Sequence, residues 1–109
     1  MAYSGVALVE VPIVAGKLEE AGALFTQHEM GLAYTASQPG FVGMDISLDA
    51  EKHSVVIMEK WTKKEDWQAY VAKRDVENEG NAAWNAAFGP LVGGAPRMVS
   101  LDSLKTYKA

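Results

Sequence analysis

The spacing of the hydrophobic residues changes several times along this chain, and the order of those changes restricts the fold most strongly. Residues 5–13 form a short apolar run that is rich in β-branched side chains. In residues 41–48, apolar side chains alternate with glycine and polar ones. In residues 54–61, Val55, Ile57, Glu59 and Trp61 alternate with Val56, Met58 and Lys60. Such runs predict β-strands, and the polar residues 49–53 between the second and third runs predict a hairpin loop. A last run at 97–104 predicts a fourth strand.

Two other segments repeat their apolar residues every three or four positions, which is the spacing of one helix face. Residues 18–37 predict one continuous amphipathic helix, which a Gln-Pro-Gly turn ends. In residues 62–91, Thr62 and Glu65 predict a capping box at the start. A glycine followed by Asn81 then predicts a break and the N-cap of a second helical piece.

The resulting order is β-α-β-β-α-β, which predicts a ferredoxin-like α+β fold over residues 1–109, taken as a single domain. Two interleaved right-handed βαβ units give a four-stranded antiparallel sheet with both helices on one face. Because the strands are apolar on both faces, we expect a second copy of the chain to cover the other face. Two such sheets facing each other would form a homodimeric α+β barrel.

Composition excludes several classes of function. The net charge is −4 and there is no extended basic cluster, so we expect no nucleic-acid partner. The absence of cysteine removes disulfides and thiolate chemistry. The sequence contains no run of 18 apolar residues, and its first residues lack a basic leader, so we expect no membrane partner and a cytoplasmic location.

Several short motifs, taken in order, resemble the antibiotic biosynthesis monooxygenase family over nearly the whole chain. They are QPGFVG at 38–43, VIMEKW at 56–61, FGPL at 88–91 and PRMV at 96–99. The resemblance implies the dimeric α+β barrel. Members of that family include cofactor-free oxygenases of aromatic polyketides, haem-degrading enzymes and an isomerase, so the fold alone does not decide the reaction.

Aromatic residues are the main candidates for a substrate pocket. The resemblance implies that Trp61, at the end of a strand, lines the pocket and stacks on an aromatic substrate. Trp67 and Tyr70 are spaced to share one helix face, and Tyr70 could bind a substrate oxygen; Trp84 and Phe88 would complete the pocket. The alternative for each of them is packing in the hydrophobic core.

Five polar residues need an explanation. His28 lies on the apolar stripe of the first predicted helix, where it could act as a catalytic base or be an ordinary core histidine. Glu10 and Glu59 fall inside strands expected to be adjacent, so each must be paired, exposed or functional. Arg74 and Asn81, near the helix break, could recognise a polar substrate.

The sequence also departs from the family patterns. Haem-degrading members carry an iron-binding histidine in the second helical region, and residues 62–91 contain none. The polyketide oxygenases carry an asparagine and a tyrosine where this chain has Ile57 and Trp67. The sequence has neither metal-ligand spacing nor a glycine-rich phosphate loop after a strand, so we expect no metal, nicotinamide or flavin.

Together with the aromatic candidates, the family resemblance implies an oxidoreductase: a cofactor-independent monooxygenase that uses molecular oxygen on a small aromatic or enolisable molecule. Two alternatives stay open. One is a barrel that binds a small molecule without catalysis, and the other is an isomerase of a small oxygenated metabolite.

Overall fold

A computed structural model describes residues 3–109 of the chain, apart from the side chain of residue 79. The described part contains four strands, four α-helices and a short 3-10 turn. In chain order they are β1 (Gly5–Pro12), α1 (Leu18–Gln27), α2 (Leu32–Ala36), β2 (Phe41–Asp49), β3 (Ser54–Trp61), α3 (Lys64–Glu79), α4 (Ala82–Phe88), the 3-10 turn Gly89–Leu91 and β4 (Arg97–Asp102).

The strands form one sheet in the order β2-β3-β1-β4, and every neighbouring pair is antiparallel. The helices pack on one face of this sheet. This arrangement confirms the predicted ferredoxin-like α+β fold. None of the helices in the described part of the chain is long and apolar enough to cross a lipid bilayer.

The two faces of the sheet differ because side chains alternate along each strand. The inner face, which the helices cover, carries buried residues such as Val11, Val55 and Ile57 in the hydrophobic core. On the outer face, Leu8 lies opposite Met58 and Val99. We call this the outer patch; its members are Val6, Leu8, Val56, Met58, Val99 and Leu101.

The first helical segment is broken, so the prediction of one continuous helix over 18–37 is wrong. α1 stops at Gln27, and His28 adopts an extended conformation. The N–H of Met30 then bonds to Nδ1 of His28, and a second helix starts at Leu32. A Cβ at Gly31 would overlap the carbonyl group of Phe25, so the turn between the helices requires glycine at this position.

The predicted capping box at Thr62 is also wrong. The backbone N–H of Thr62 bonds to the carbonyl of Gly40, and its own carbonyl accepts from Ser4, so Thr62 still belongs to the end of the sheet. Helix α3 therefore begins at Lys64, without a side-chain cap. The predicted cap at Asn81 is confirmed, because its Oδ1 accepts from the backbone N–H of Trp84 at 2.9 Å.

Candidate active site

A cavity of about 180 Å³ lies between the inner face of the sheet and the helices. Its floor is mainly apolar, and the polar groups that reach it come from β3, α2 and α3. The residues that line it are Val9, Val11, Phe25, Leu32, Thr35, Ile57, Glu59, Trp67, Tyr70, Val71, Arg74, Asn78, Trp84, Phe88, Pro96 and Met98.

Glu59 is the acidic group of this cavity. It follows Val55 and Ile57 on the inner face of β3, and the residue is only 3% exposed. Burial raises the pKa of Glu59 from 4.5 to about 7, while a hydrogen bond from Trp61 and the positive charge of Arg74 oppose the rise. A carboxyl group with a pKa near neutrality is well suited to accept a proton at neutral pH.

Trp61 positions Glu59 from within the core. Its Nε1–H donates to Oε1 of Glu59 at 3.0 Å, because residues two apart on a strand share a face. The indole stacks on the ring of Tyr70, with centroids 5.2 Å apart, and meets Phe41 edge-on. Trp61 is fully buried behind the cavity wall, so it reaches the cavity through Glu59 and Tyr70.

Tyr70 is held by a second contact, a hydrogen bond of 2.7 Å between its hydroxyl and Oγ1 of Thr35. Burial raises the pKa of Tyr70, although the charge of Arg74 and the bond with Thr35 oppose this. The phenol therefore stays neutral around pH 7 and can both donate and accept a hydrogen bond.

Arg74 is the cationic group of the cavity. Its Nη2 donates to the carbonyl of Met30, which lies in the break between α1 and α2. The guanidinium carbon lies 5.1 Å from the ring centre of Tyr34, 5.5 Å from that of Trp84 and 5.9 Å from that of Tyr70. Aromatic faces at these distances favour a cation, so the guanidinium is fixed in place before any ligand binds.

Three buried polar atoms on one face of α3 have no hydrogen-bond partner among the side chains and backbone that the structure describes. They are Nε1 of Trp67, Nη1 of Arg74 and Oδ1 of Asn78. Their side chains all line the cavity. An unpaired buried polar group costs about 1–3 kcal/mol, so these three side chains offer donors and an acceptor that a polar ligand could satisfy.

The structure brings most of the sequence-predicted residues together. Trp67, Tyr70, Arg74, Trp84 and Phe88 all line the cavity, and their roles toward a substrate stay predictions.

The other predicted residues lie outside the cavity wall. Asn81 caps α4, and Trp61 stands behind Glu59. The break after α1 turns His28 away, so that its ring meets the edge of Trp84 and lines a separate surface groove between α1 and α4. Its Nδ1 accepts the Met30 N–H, and His28 is not among the residues that line the cavity, so its role as a base stays a prediction.

Sequence reasoning did not select Thr35 or Asn78, and it left Glu59 undecided. Asn78 continues the spacing of Trp67, Val71 and Arg74 along α3, so the helical period could have found it. Glu59 shares a strand face with Val55 and Ile57, and this placed a carboxylate on the buried side. Thr35 carried no signal, because its place depends on the helix break.

Solved structures share this fold along nearly their whole length. A monooxygenase from the gene ActVA-Orf6 of Streptomyces coelicolor, in complex with the ligand Nanaomycin D, is 17% identical with a TM-score of 0.74, over 98% of this chain and 93% of that one. SnoaB, a cofactor-independent oxygenase from Streptomyces nogalater, is 16% identical with a TM-score of 0.65, over 96% and 97% of the two chains.

A third structure, of a MhuD variant with two manganese protoporphyrin IX molecules bound per active site, is 17% identical with a TM-score of 0.73, over 96% of this chain and 99% of that one. At these identities the likeness shows the fold alone. No curated protein is significantly similar to the chain in sequence. The family model for antibiotic biosynthesis monooxygenases matches residues 5–87, which include the whole of β1 to β3, α3 and nearly all of α4. The chain therefore belongs to the antibiotic biosynthesis monooxygenase family.

Proposed function

We propose that the chain is a cofactor-independent monooxygenase that oxidises a small aromatic or enolisable molecule inside the cavity, with Glu59 as the base. The observation that carries this proposal is a buried carboxyl group with a pKa of about 7 among aromatic side chains. Family membership and the likeness to a cofactor-independent oxygenase support the same class of reaction.

The first step is removal of a substrate proton by the Glu59 carboxylate. The C–H or O–H bond breaks, a new O–H bond forms on Glu59, and the electron pair spreads into the substrate ring or enolate. The nearby charge of Arg74 stabilises this anion, and the neutral phenol of Tyr70 can donate a hydrogen bond to one of its oxygens.

The anion then reacts with molecular oxygen, which is the oxidant. Carbon bonds to one oxygen atom and forms a peroxide anion, which takes up a proton. The remaining C–H bond of that carbon and the O–O bond then break together: the C–H electron pair becomes the second C–O bond of a carbonyl, Glu59 accepts the proton, and hydroxide leaves. The hydroxide takes up this proton and departs as water, so one of its hydrogens comes from the first deprotonation and the other from the oxidised carbon. The apolar residues of the cavity, such as Val9, Ile57 and Phe88, exclude bulk water from the peroxide.

The residues that line the cavity do not fit haem. The MhuD structure holds manganese protoporphyrin IX, which is haem with manganese in place of iron. Of the residues that the structure describes, those that line the cavity include no histidine, and His28 and His53 lie elsewhere. A volume of about 180 Å³ is also below the roughly 300–1,000 Å³ of pockets for larger ligands. No step of the proposed reaction uses haem.

The proposed working form is a homodimer joined through the outer patch. Met58 is 52% exposed and Leu101 is also exposed, while their neighbours in the patch are half-buried, so the described residues leave an apolar surface in the middle of the sheet. Surfaces of this kind usually meet another protein surface.

Sedimentation at micromolar concentration tests the dimer. We expect the natural chain to sediment as a dimer and Met58→Glu as a monomer. The control is Val76→Glu, which places the same charge at an exposed apolar position on α3, outside the patch. Equal behaviour of the two variants would contradict the proposed interface.

Oxygen consumption tests the reaction. Purified protein without added metal or flavin should consume oxygen with members of a panel of quinols, phenols, anthrones and 1,3-dicarbonyl compounds, and Glu59→Gln should not. A substrate that is rearranged equally well without oxygen would instead favour the isomerase. Binding without conversion across the panel would favour the non-catalytic barrel.

A further inference from the structure

We infer that the cavity takes a single-ring substrate with two or more oxygen substituents, and that Nη1 of Arg74 binds the oxygen that becomes negatively charged. The charge transfer in this inference rests on the proposed function, whereas the ligand class follows from the cavity.

The volume limits the number of rings. A cavity of about 150 Å³ lined by Leu, Ile and Phe accommodates benzene. The cavity of this chain is only slightly larger, at about 180 Å³, and its walls include closely packed core residues such as Val11 and Ile57. One ring with small substituents fits this space. A system of three fused rings has more than twice the ring carbons of benzene and does not.

The unpaired polar atoms specify what the ring must carry. The indole N–H of Trp67 and Nη1 of Arg74 are donors, and Oδ1 of Asn78 is an acceptor. All three lie on the face of α3 that lines the cavity. A ligand that satisfies them offers two oxygen acceptors and at least one hydroxyl hydrogen, as a ring with a hydroxyl and a carbonyl group does.

The position of Arg74 indicates that it binds the substrate oxygen that becomes negatively charged. Its Nη2 donates to the Met30 carbonyl and three aromatic rings lie near the guanidinium, while Nη1 is buried without a partner among the described residues. Nη1 is therefore the Arg74 nitrogen that we assign to the ligand. Before the reaction, the Glu59 carboxylate balances the charge of Arg74. When Glu59 takes the proton, the negative charge moves to the substrate oxygen, and Arg74 then balances that oxygen instead.

Binding measured without oxygen separates this inference from the oxidation. We would titrate the protein anaerobically by calorimetry with 2,4-dihydroxyacetophenone, with acetophenone, which lacks the hydroxyls, and with 1,8-dihydroxyanthrone, which has three fused rings. We expect the dihydroxy ketone to bind at least about tenfold more tightly than acetophenone, because charge-assisted hydrogen bonds are the strong ones. We expect no saturable binding of the three-ring compound.

Two variants identify the residues. Arg74→Met should weaken binding of the dihydroxy ketone by about tenfold or more and leave that of acetophenone nearly unchanged. Lys73→Met removes the same charge from an exposed position on the same helix and should have no effect. If Arg74→Met does not fold, Asn78→Leu provides the test, with an expected loss of about fivefold.

Saturable binding of the three-ring compound would overturn the size limit. Equal losses of affinity in Arg74→Met and Lys73→Met would overturn the proposed binding of a substrate oxygen by Arg74. Where Arg74→Met does not fold, unchanged binding in Asn78→Leu would overturn the proposed polar contacts on α3. If binding follows the expectation but no oxygen is consumed in the reaction assay, the proposed function fails and the ligand class stands.

Discussion

Two glutamates on neighbouring central strands have different surroundings, because one lies on the outer face of the sheet and the other on the inner face. Glu10 on β1 points to the outer face, where its side chain is 27% exposed and its Oε1 lies 3.1 Å from Nη1 of Arg97. Glu59 on β3 points to the inner face, where its hydrogen-bond partner is the neutral indole of Trp61. The two strands are directly paired, so the faces, and not the place in the sheet, separate the two residues.

Burial is the main physical difference between these two glutamates, and it is the largest cause of the raised pKa of Glu59. An ion pair at the surface, such as that of Glu10 with Arg97, contributes little to stability. A buried carboxyl group with only a neutral donor in contact and a cation farther away binds its proton more tightly. Glu59 therefore has a pKa close to the pH at which a base must work, and this difference leads to four tests.

The largest expected effect concerns turnover. Glu59→Gln should lower oxygen-dependent turnover by about 100-fold or more, because general bases contribute roughly 10²–10⁴-fold. Glu10→Gln, the matched change on the other face, borders the outer patch and should cost less than about threefold. Equal losses in the two variants would show that the faces do not differ in this way.

The second test is the pH dependence of stability. Burial raises the pKa of Glu59 from 4.5 to about 7 on folding, so the folded chain holds a proton that the unfolded chain releases between these values. The stabilisation that the Glu59 proton gives to the folded state is therefore fully present below pH 4.5 and is lost as the pH rises through 7. The loss amounts to about 3 kcal/mol.

Urea unfolding at pH 5 and pH 8 measures this loss at a fixed protein concentration. Glu59→Gln should remove most of the difference between the two pH values, and Glu10→Gln should retain it. A natural chain that is more stable at pH 8 than at pH 5 would contradict the assignment.

The third test removes the neutral donor. Trp61→Phe deletes the N–H that stabilises the Glu59 carboxylate, so the pKa of Glu59 should rise further. Turnover at pH 7 should fall about tenfold, or about 1.4 kcal/mol, and recover at higher pH. Trp67→Phe makes the same replacement on the cavity wall and should leave the midpoint of the pH–rate profile in place. A midpoint that stays or falls in Trp61→Phe would refute the positioning role.

The smallest expected effect is the coupling between Glu10 and Arg97. A double-mutant cycle of Glu10→Gln and Arg97→Met should give about 0.2–1 kcal/mol and less at high salt, because the Arg97 side chain is 64% exposed. A coupling above about 2 kcal/mol would place this pair inside a dry interface instead of at the border of the outer patch.

The sequence was sufficient for the order of the strands and of the two helical regions between them, and for the strand faces. Alternation in β3 separated Val55, Ile57 and Glu59 from Val56 and Met58, and the structure puts the first set inside and the second outside. The break after α1 could not be predicted from periodicity. Residues before and after it, such as Phe25 and Leu32, pack in the same core, so the apolar stripe looks continuous.

The same break explains which part of the site could not be predicted from the sequence. The α3 residues Trp67, Tyr70 and Arg74 could be named, because one regular helix carries them and its period fixes their common face. His28 was predicted to face the sheet on the assumption that the helix continued. The pairing of Thr35 with Tyr70 depends on how α2 packs against α3, which no local pattern reports.

The turn at residues 28–31 has a consequence for engineering this protein. Gly31 permits the turn, the turn frees the carbonyl of Met30, and that carbonyl anchors Arg74. A mutant library restricted to the cavity wall would leave this turn untouched, although an alanine at position 31 should redirect the guanidinium. Anyone who transplants the cavity into another member of the fold must move these four residues together with it.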